Sequence, residues 1–252
     1  MDFTNQKVLV TGGSRGIGRA VSQAFAERGA QLAIIYNSNV AAAEAVLSEL
    51  PGEGHIALQC DIADSTQVAI AVENVAEQLG GIDVLVNNAG IGIHHPIEST
   101  SYEDWQKAWR DIIATNLIGP ANLCYCVAQK MIAGQGGRIV NISSRGAFRG
   151  EPIKPAYGAS KAAINSLTQS LAIDLAKHRI FVGAVAPGFV NTDLTAARLA
   201  SSEGDEIRAQ SPFNRVAQPE EVAYAVLFLA SQGAEFSTGT IIDVNGASHM
   251  RS

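Results

Sequence analysis

The chain has 252 residues, with 18 Lys+Arg against 24 Asp+Glu and a formal net charge of −6. Hydrophobic residues make up 47% and charged residues 17%, the balance of a globular protein with a sizeable core. The acid excess argues against nucleic acid as a partner, and no apolar run reaches the ~20 residues of a membrane helix. Residues 1–7 lack the basic and apolar regions of a signal peptide, which points to the cytoplasm. Cys60, Cys124 and Cys126 are too few for a disulfide framework and have no partners at metal spacing. They read as core cysteines in a reducing compartment, and no metal is expected.

Short β-rich apolar runs alternate with amphipathic stretches. Lys7–Thr11 reads as a strand, 17–28 as a helix, Gln31–Tyr36 as a strand and 40–50 as a helix. Strands at 55–60 and Val84–Asn87 enclose a helix at Ser65–Leu79. A long helix over 101–133, a strand at 138–142 and a helix at 157–177 follow. The chain closes with strands at 181–186 and 240–244 and a helix at Pro219–Ala230 between them. Strands apolar on both faces, each leading to a helix, predict a parallel sheet covered on both sides. The expectation is one doubly wound α/β (Rossmann) domain over 1–252 with seven parallel strands; a closed eight-stranded barrel is the competing architecture. Residues 191–214 interrupt the alternation with a polar stretch after a strand's carboxyl end, either a mobile substrate lid or a surface excursion.

Thr11-Gly12-Gly13-Ser14-Arg15-Gly16-Ile17-Gly18 lies between the first strand and the first helix. Glycine spacings are common, but this position gives the pattern weight and favours the open sheet over the barrel. Glycines let the chain turn tightly and bring N–H groups to a phosphate, and the helix start adds positive potential. An NAD site places Asp or Glu at the end of the second strand for the ribose hydroxyls. Here that strand ends Tyr36-Asn37-Ser38, without an acid. Arg15, Asn37 and Ser38 suit a 2′-phosphate, so NADP(H) is preferred. If Arg15 is merely a solvated loop residue, NAD(H) is accepted as well.

Tyr157 and Lys161 stand four apart, on one helical face. A phenol ionises near pH 10, and an adjacent ammonium favours the phenolate, so the pair suits proton exchange with an alcohol oxygen. Ser144 lies just past the strand at 138–142, where its hydroxyl could hydrogen-bond a carbonyl; Ser143 is its immediate rival. No G-x-S-x-G elbow surrounds either serine, which counts against acyl transfer.

With these motifs in place, the chain resembles the short-chain dehydrogenase/reductase family over nearly its whole length. The resemblance is carried by Thr11–Gly18, Asp61, Asn87-Asn88-Ala89-Gly90, Asn116, Ser144, Tyr157-Gly158-Ala159-Ser160-Lys161 and Pro187-Gly188 with Thr192. It implies that Tyr157 is the general acid in reduction and the base in oxidation. Lys161 would hold the nicotinamide ribose and lower the phenol pKa. Ser144 would orient the carbonyl, and Asn116 would anchor a proton-relay water. Gly12, Ser14, Arg15, Gly16, Ile17 and Gly18 would cradle the phosphates, with Asn37 and Ser38 beside the adenosine ribose. Asp61 and Ile62 would flank the adenine. Asn88, Ala89 and Gly90 would line its ribose. Pro187, Gly188, the Val190 backbone and the Thr192 hydroxyl would meet the carboxamide.

The similarity is nearest to the 3-oxoacyl-[acyl-carrier-protein] reductase-like branch, whose members also reduce other ketones. Reductases of carrier-protein substrates tend to place basic residues on the long helices; here Cys126–Lys130 and Leu171–Asp174 are thinly basic. The resemblance therefore implies a small-molecule carbonyl or alcohol substrate, with acyl-carrier protein as an alternative partner, and a homotetramer. Two other readings stand beside it: an NAD-linked alcohol or sugar dehydrogenase, and a nucleotide-binding regulator without turnover. His94-His95 reads as a pair of polar loop residues. Ile91, Ile93, Phe148, Phe189 and Leu194 read as pocket wall or core, and Glu151 as a substrate contact or a solvated acid. Ala247 stands where many relatives carry a second glycine.

Overall fold

The computed structural model describes residues 1–251. Seven strands form one parallel sheet in the order β3-β2-β1-β4-β5-β6-β7. They are β1 (Lys7–Thr11), β2 (Gln31–Tyr36), β3 (Ile56–Gln59), β4 (Val84–Asn87), β5 (Gly137–Ile142), β6 (Ile180–Pro187) and β7 (Ile241–Val244). The sheet is open, so the barrel alternative falls. In β1, Leu9 pairs in register with Ala33 on one side and Leu85 on the other.

The period of two in each strand builds two cores. Val8, Val10, Leu32, Ile34, Val84 and Val86 pack on one face against Val21 and Phe25 of α1 (Gly16–Ala26) and Val222 and Val226 of α10 (Pro219–Ala230). Leu9, Ala33, Ile35, Leu85, Ile139 and Val182 pack on the other face. Their partners include Val68 and Val72 of α3 (Ser65–Leu79), Leu123 and Val127 of α5 (Gly119–Ala133), and Ala172 of α7 (Pro155–Leu175). Residues buried on both sheet faces account for strands without polar alternation. The strand order reverses between the parallel neighbours β1 and β4, and this switch opens a crevice at their carboxyl ends.

Three elements differ from the sequence expectation. The stretch 101–133 is not one α-helix but α4 (Tyr102–Ile113), a π-helical turn (Ala114–Ile118) and α5. Gly119 begins α5 where a Cβ would stand 2.6 Å from the Ile62 carbonyl oxygen, so glycine permits the close pass. The stretch 191–214 carries α8 (Asp193–Leu199) and α9 (Gly204–Ala209), and a short α6 (Gly146–Arg149) follows β5. No helix among the described residues is long and apolar enough to cross a membrane.

All three cysteines are unpaired. Cys60 and Cys124 are buried, and burial pushes their thiols up to about 11 and about 12. Cys126 is half-buried and packs against the edge of the second core.

Candidate active site

The turn after β1 runs along the crevice floor. Gly12 and Gly16 take φ of +64° and +51°, conformations that a side chain strains. At Gly18 a Cβ would lie 2.1 Å from the Gly12 carbonyl oxygen, so only glycine lets α1 start this close to the turn. Arg15 is the N-cap of α1, makes no side-chain cap bond, and no acid occupies the first turn. The first N–H groups of α1 thus lack a side-chain acceptor, the arrangement that receives a phosphate. These residues fit a dinucleotide.

Arg15 is exposed, as are Asn37 and Ser38, and Ser14 and Ile17 are half-buried. Asn88 braces the loop: its Nδ2 donates to the Thr11 and Gly12 carbonyls at 2.9 and 3.1 Å. The Thr11 hydroxyl in turn accepts from the backbone N–H groups of Asn88 and Ala89 at 3.0 and 3.1 Å. The Asn88 side chain is therefore spent on the loop. Asp61 turns back on its own segment and accepts from the Ala63 N–H at 3.0 Å, while Ile62 is buried. At Gly90 a Cβ would stand 3.2 Å from Asn116 Oδ1 and 3.5 Å from Lys161 Nζ, which places these three together.

The second wall is the start of α7. Tyr157 and Lys161 lie one turn apart, the phenol half-buried and the ammonium 5% exposed. Ser144 lies beside the phenol, and its hydroxyl accepts from the Gly146 N–H at 3.0 Å. Ser143 instead turns inward and donates to the Lys161 carbonyl at 3.2 Å. Adjacent residues on a strand end face opposite ways, which separates the two serines. Lys161 Nζ donates to the Ile142 carbonyl at 2.8 Å.

Asn116 sits at the centre of the π turn, fully buried. Its Oδ1 accepts from the Ile91 N–H at 2.8 Å, and its Nδ2 donates to the Ile91 carbonyl at 2.9 Å and to Ser160 Oγ at 3.2 Å. The wide turn thus ties the β4 loop to α7. Single π turns inside α-helices are frequent at functional sites. Beneath lies a buried chain: Asn87 Nδ2 donates to Asn141 Oδ1 at 2.9 Å, and Asn141 Nδ2 donates to Thr168 Oγ1 at 2.9 Å.

The ionisation pattern departs from the sequence expectation. Burial pushes the Tyr157 phenol up, the Ser144 hydrogen bond opposes this, and the Glu151 charge adds to the rise. Burial first, then the Lys154 charge, lowers Lys161 to about 8. Lys161 Nζ is 5.8 Å from the Tyr157 ring centroid and is directed to a carbonyl, so it does not bring the phenol down here. Lys154 Nζ stands nearer, 4.3 Å from that centroid.

Other expectations also change. His94 and His95 lie in a loop as expected, but while His94 is exposed, His95 is buried. Its Nδ1 hydrogen-bonds the Ile93 carbonyl at 2.8 Å and its Nε2 accepts from the Ala156 N–H at 3.2 Å. Lys154, the N-cap of α7, offers no side-chain cap, so His95 fills that role from 61 residues away. Among the described residues, no three His, Cys, Asp or Glu side chains converge as a metal site. Leu194, a candidate wall residue, is 84% exposed.

The far wall follows β6. Gly188 donates its N–H to the Val244 carbonyl at 2.9 Å, directly after Pro187, the last residue of β6. Val190 is buried, and its carbonyl accepts from Thr195 Oγ1 at 2.6 Å. Thr192 is the N-cap of α8 in a capping box with Thr195, and its Cγ2 would lie 3.3 Å from a Cβ on Gly16. The glycine loop and the start of α8 thus face each other. Thr195 escaped the sequence reading, although Thr-x-x-Thr after a strand is a capping signal.

A family model described as enoyl-(acyl carrier protein) reductase matches residues 12–249. The 3-oxoacyl-[acyl-carrier-protein] reductase of Staphylococcus aureus is 38% identical over 247 residues, 97% of this chain and 98% of that protein. A short-chain dehydrogenase from Burkholderia cenocepacia, solved with NADP, superposes with a TM-score of 0.90 at 33% identity. That match covers 98% of this chain and 99% of the other. A dehydrogenase/reductase from Sinorhizobium meliloti gives 0.91 at 32% identity, over 99% and 97% of the two chains.

Proposed function

The chain belongs to the short-chain dehydrogenase/reductase family, and on that premise we propose that it is an NADP(H)-dependent reductase interconverting a ketone and a secondary alcohol. One observation carries this reading: Tyr157 and the buried Lys161 stand one turn apart on α7, with Gly90 and Asn116 beside the Lys161 ammonium and Ser144 beside the phenol. A nicotinamide cofactor supplies or accepts the hydride. The protein's task is then to position the carbonyl and manage one proton.

Ser144 and Tyr157 present two hydroxyls to a carbonyl oxygen. Their hydrogen bonds strengthen as that oxygen gains negative charge, which lowers the barrier. The raised phenol pKa keeps Tyr157 protonated at neutrality, as a proton donor in reduction must be. Lys161 holds the positive charge beside the reacting oxygen, and its ammonium can meet ribose hydroxyls. Asn116, with both amide ends engaged, fixes the β4 loop against α7 and positions the array; the proton-relay water belongs to the same reading. Gly12, Ser14, Gly16, Ile17 and Gly18 hold the diphosphate, and Arg15, Asn37 and Ser38 hold the 2′-phosphate. Asp61, Ile62, Asn88, Ala89 and Gly90 border the adenosine. Pro187, Gly188, Val190 and Thr192 border the carboxamide. Residues 191–214 cover the substrate.

The full-length similarity to a 3-oxoacyl-[acyl-carrier-protein] reductase supports a 3-oxoacyl thioester as substrate. The long helices favour a smaller ketone: Lys130 is paired with Glu73, and Asp174 with Lys177, leaving little free positive charge for an acidic carrier. On α5 and α7, Tyr125 and Ile173 are 68% and 83% exposed, which supports the covering of both helices in a homotetramer. The setting we propose is cytoplasmic. The test is NADPH oxidation with 3-oxoacyl thioesters, enoyl thioesters, diketones, keto-sugars and cyclic ketones, repeated with NADH. Ketone-dependent oxidation of NADPH is expected. Turnover confined to enoyl thioesters would overturn the ketone assignment, and no turnover with any carbonyl would favour a regulator.

A further inference from the structure

Arg145 directly follows Ser144 and is 5% exposed. Its Nη1 donates to Ser248 Oγ at 2.5 Å and its Nη2 to Gln210 Oε1 at 2.8 Å, both neutral acceptors. Its plane stands 5.5 Å from the Phe189 ring centroid. Among the described residues it forms no ion pair. A buried charge without a counter-ion is costly, and buried charges are normally paired. Burial accordingly pulls this guanidinium down to about 10; the Arg149 charge adds to the fall and the Glu151 charge opposes it.

Arg145 lines a cavity of 180 Å³ together with Phe189, Gln210, Ser211, Asn245 and Ser248. That is far above the ~10–15 Å³ one water needs. The two acids on the wall are already engaged. Glu221 accepts from both Nη atoms of Arg215 at 2.7 Å, and Asp243 accepts from Arg251 Nε at 2.7 Å. The positive charge left over is that of Arg145. Its planar fork matches a carboxylate, and the Ser211, Ser248 and Asn245 side chains around it already donate to the Gly246, Asn245 and His249 carbonyls, so Arg145 is the group left to meet an anion.

We propose that the cavity lined by Arg145 is a carboxylate-binding site, with Arg145 as its anchoring cation. The carboxylate has two sources: the acid group of a keto-acid substrate whose carbonyl lies at Ser144, or a separate small acid that binds as an effector. The first source rests on the ketone-reductase reading; the binding itself does not.

The binding arm uses calorimetric titration of the wild-type chain with glutarate, and with glutaramide as the uncharged match, at constant ionic strength. Glutarate is expected to bind at least about tenfold tighter than the amide. Arg145→Met is expected to abolish that difference, and Arg145→Lys to reduce it while keeping the charge. If Arg145→Met fails to fold, the acid–amide comparison on wild type decides alone. The kinetic arm compares a keto acid with its methyl ester. A preference of about tenfold in kcat/KM for the acid, reduced in Arg145→Lys and lost in Arg145→Met, assigns the site to substrate. Tight glutarate binding without such a preference assigns it to a separate acid. Equal binding of glutarate and glutaramide, or binding of neither, overturns the proposal. Glutarate binding with no turnover of any ketone would leave the site standing and remove the reductase reading.

Discussion

The two walls of the crevice are built by different means. The glycine loop of residues 11–18 gets its shape from its own backbone, from glycines at positive φ and from bonds to the adjacent β4 loop. The start of α7 is held by remote groups: His95 caps Ala156, Asn116 reaches Ser160, and Ser143 donates to the Lys161 carbonyl. A nucleotide grip can be written locally, because every dinucleotide presents the same diphosphate. A proton-transfer array must be aligned to a fraction of an ångström, and alignment comes from several elements converging.

The sharpest way to break this comparison is at the phenol. Tyr157→Phe should lower kcat by about 10³-fold while changing the NADPH dissociation constant less than about twofold. A comparable loss in cofactor affinity would mean that the two walls are one unit. The pH profile adds a sign. With the phenol raised, reduction should hold its rate through neutrality and decline as Lys161 loses its proton around pH 8. A reductive kcat that rises through that range would contradict the acid role of Tyr157.

His95→Leu tests the remote support. It removes the acceptor for the Ala156 N–H, so α7 should fray at the end that carries Tyr157. We expect a drop in kcat of about 30-fold and a stability loss of about 1–2 kcal/mol, the range of a lost helix cap. His95→Gln should recover part of both. A stability loss with unchanged kcat would reduce His95 to a packing residue.

His95 also marks where the sequence stops being legible. The seven parallel strands and the glycine turn follow from local periodicity and from glycine chemistry, and they lie in the structure where the sequence places them. Tyr157 and Lys161 could be paired because helical spacing is local as well. The Asn116 π turn could not be read from the sequence, since 101–133 has continuous helical character and its break depends on Ile91 and on the close pass of Gly119 by Ile62. His95 looked like half of a polar pair because its partner is 61 residues away. Ala247, where many relatives carry glycine, takes a φ of +57°, a left-handed conformation that the sequence reading did not anticipate.

On the nucleotide wall the expected effects are smaller. Arg15 has no partner among the described residues, is exposed, and stands at the uncapped start of α1. Arg15→Ala should raise the KM for NADPH about tenfold and that for NADH less than about twofold. The ratio falls with added salt, because an exposed charge is screened. Equal losses for both cofactors would move the 2′-phosphate assignment away from Arg15, to Asn37 and Ser38.

Lys161 joins the walls, and its substitution separates function from stability. Burial lowers its ammonium from 10.5 to about 8, so the folded state disfavours the charged form. The sign follows from linkage: the cost is fully present below about pH 8 and fades as pH climbs toward 10.5, where the unfolded chain also releases its proton. Taken at face value, that shift corresponds to about 3 kcal/mol. Lys161→Met removes this cost but leaves the Ile142 carbonyl without its donor, which returns about 1–2 kcal/mol. The variant should therefore be more stable than wild type by about 1–2 kcal/mol at pH 7, with a gap that shrinks above pH 8, while turnover is lost. Thermal melts of both proteins across pH 6–10 decide it. A less stable variant at pH 7 would mean that the ammonium contributes to the fold, and that its burial is structural rather than a strain kept for catalysis.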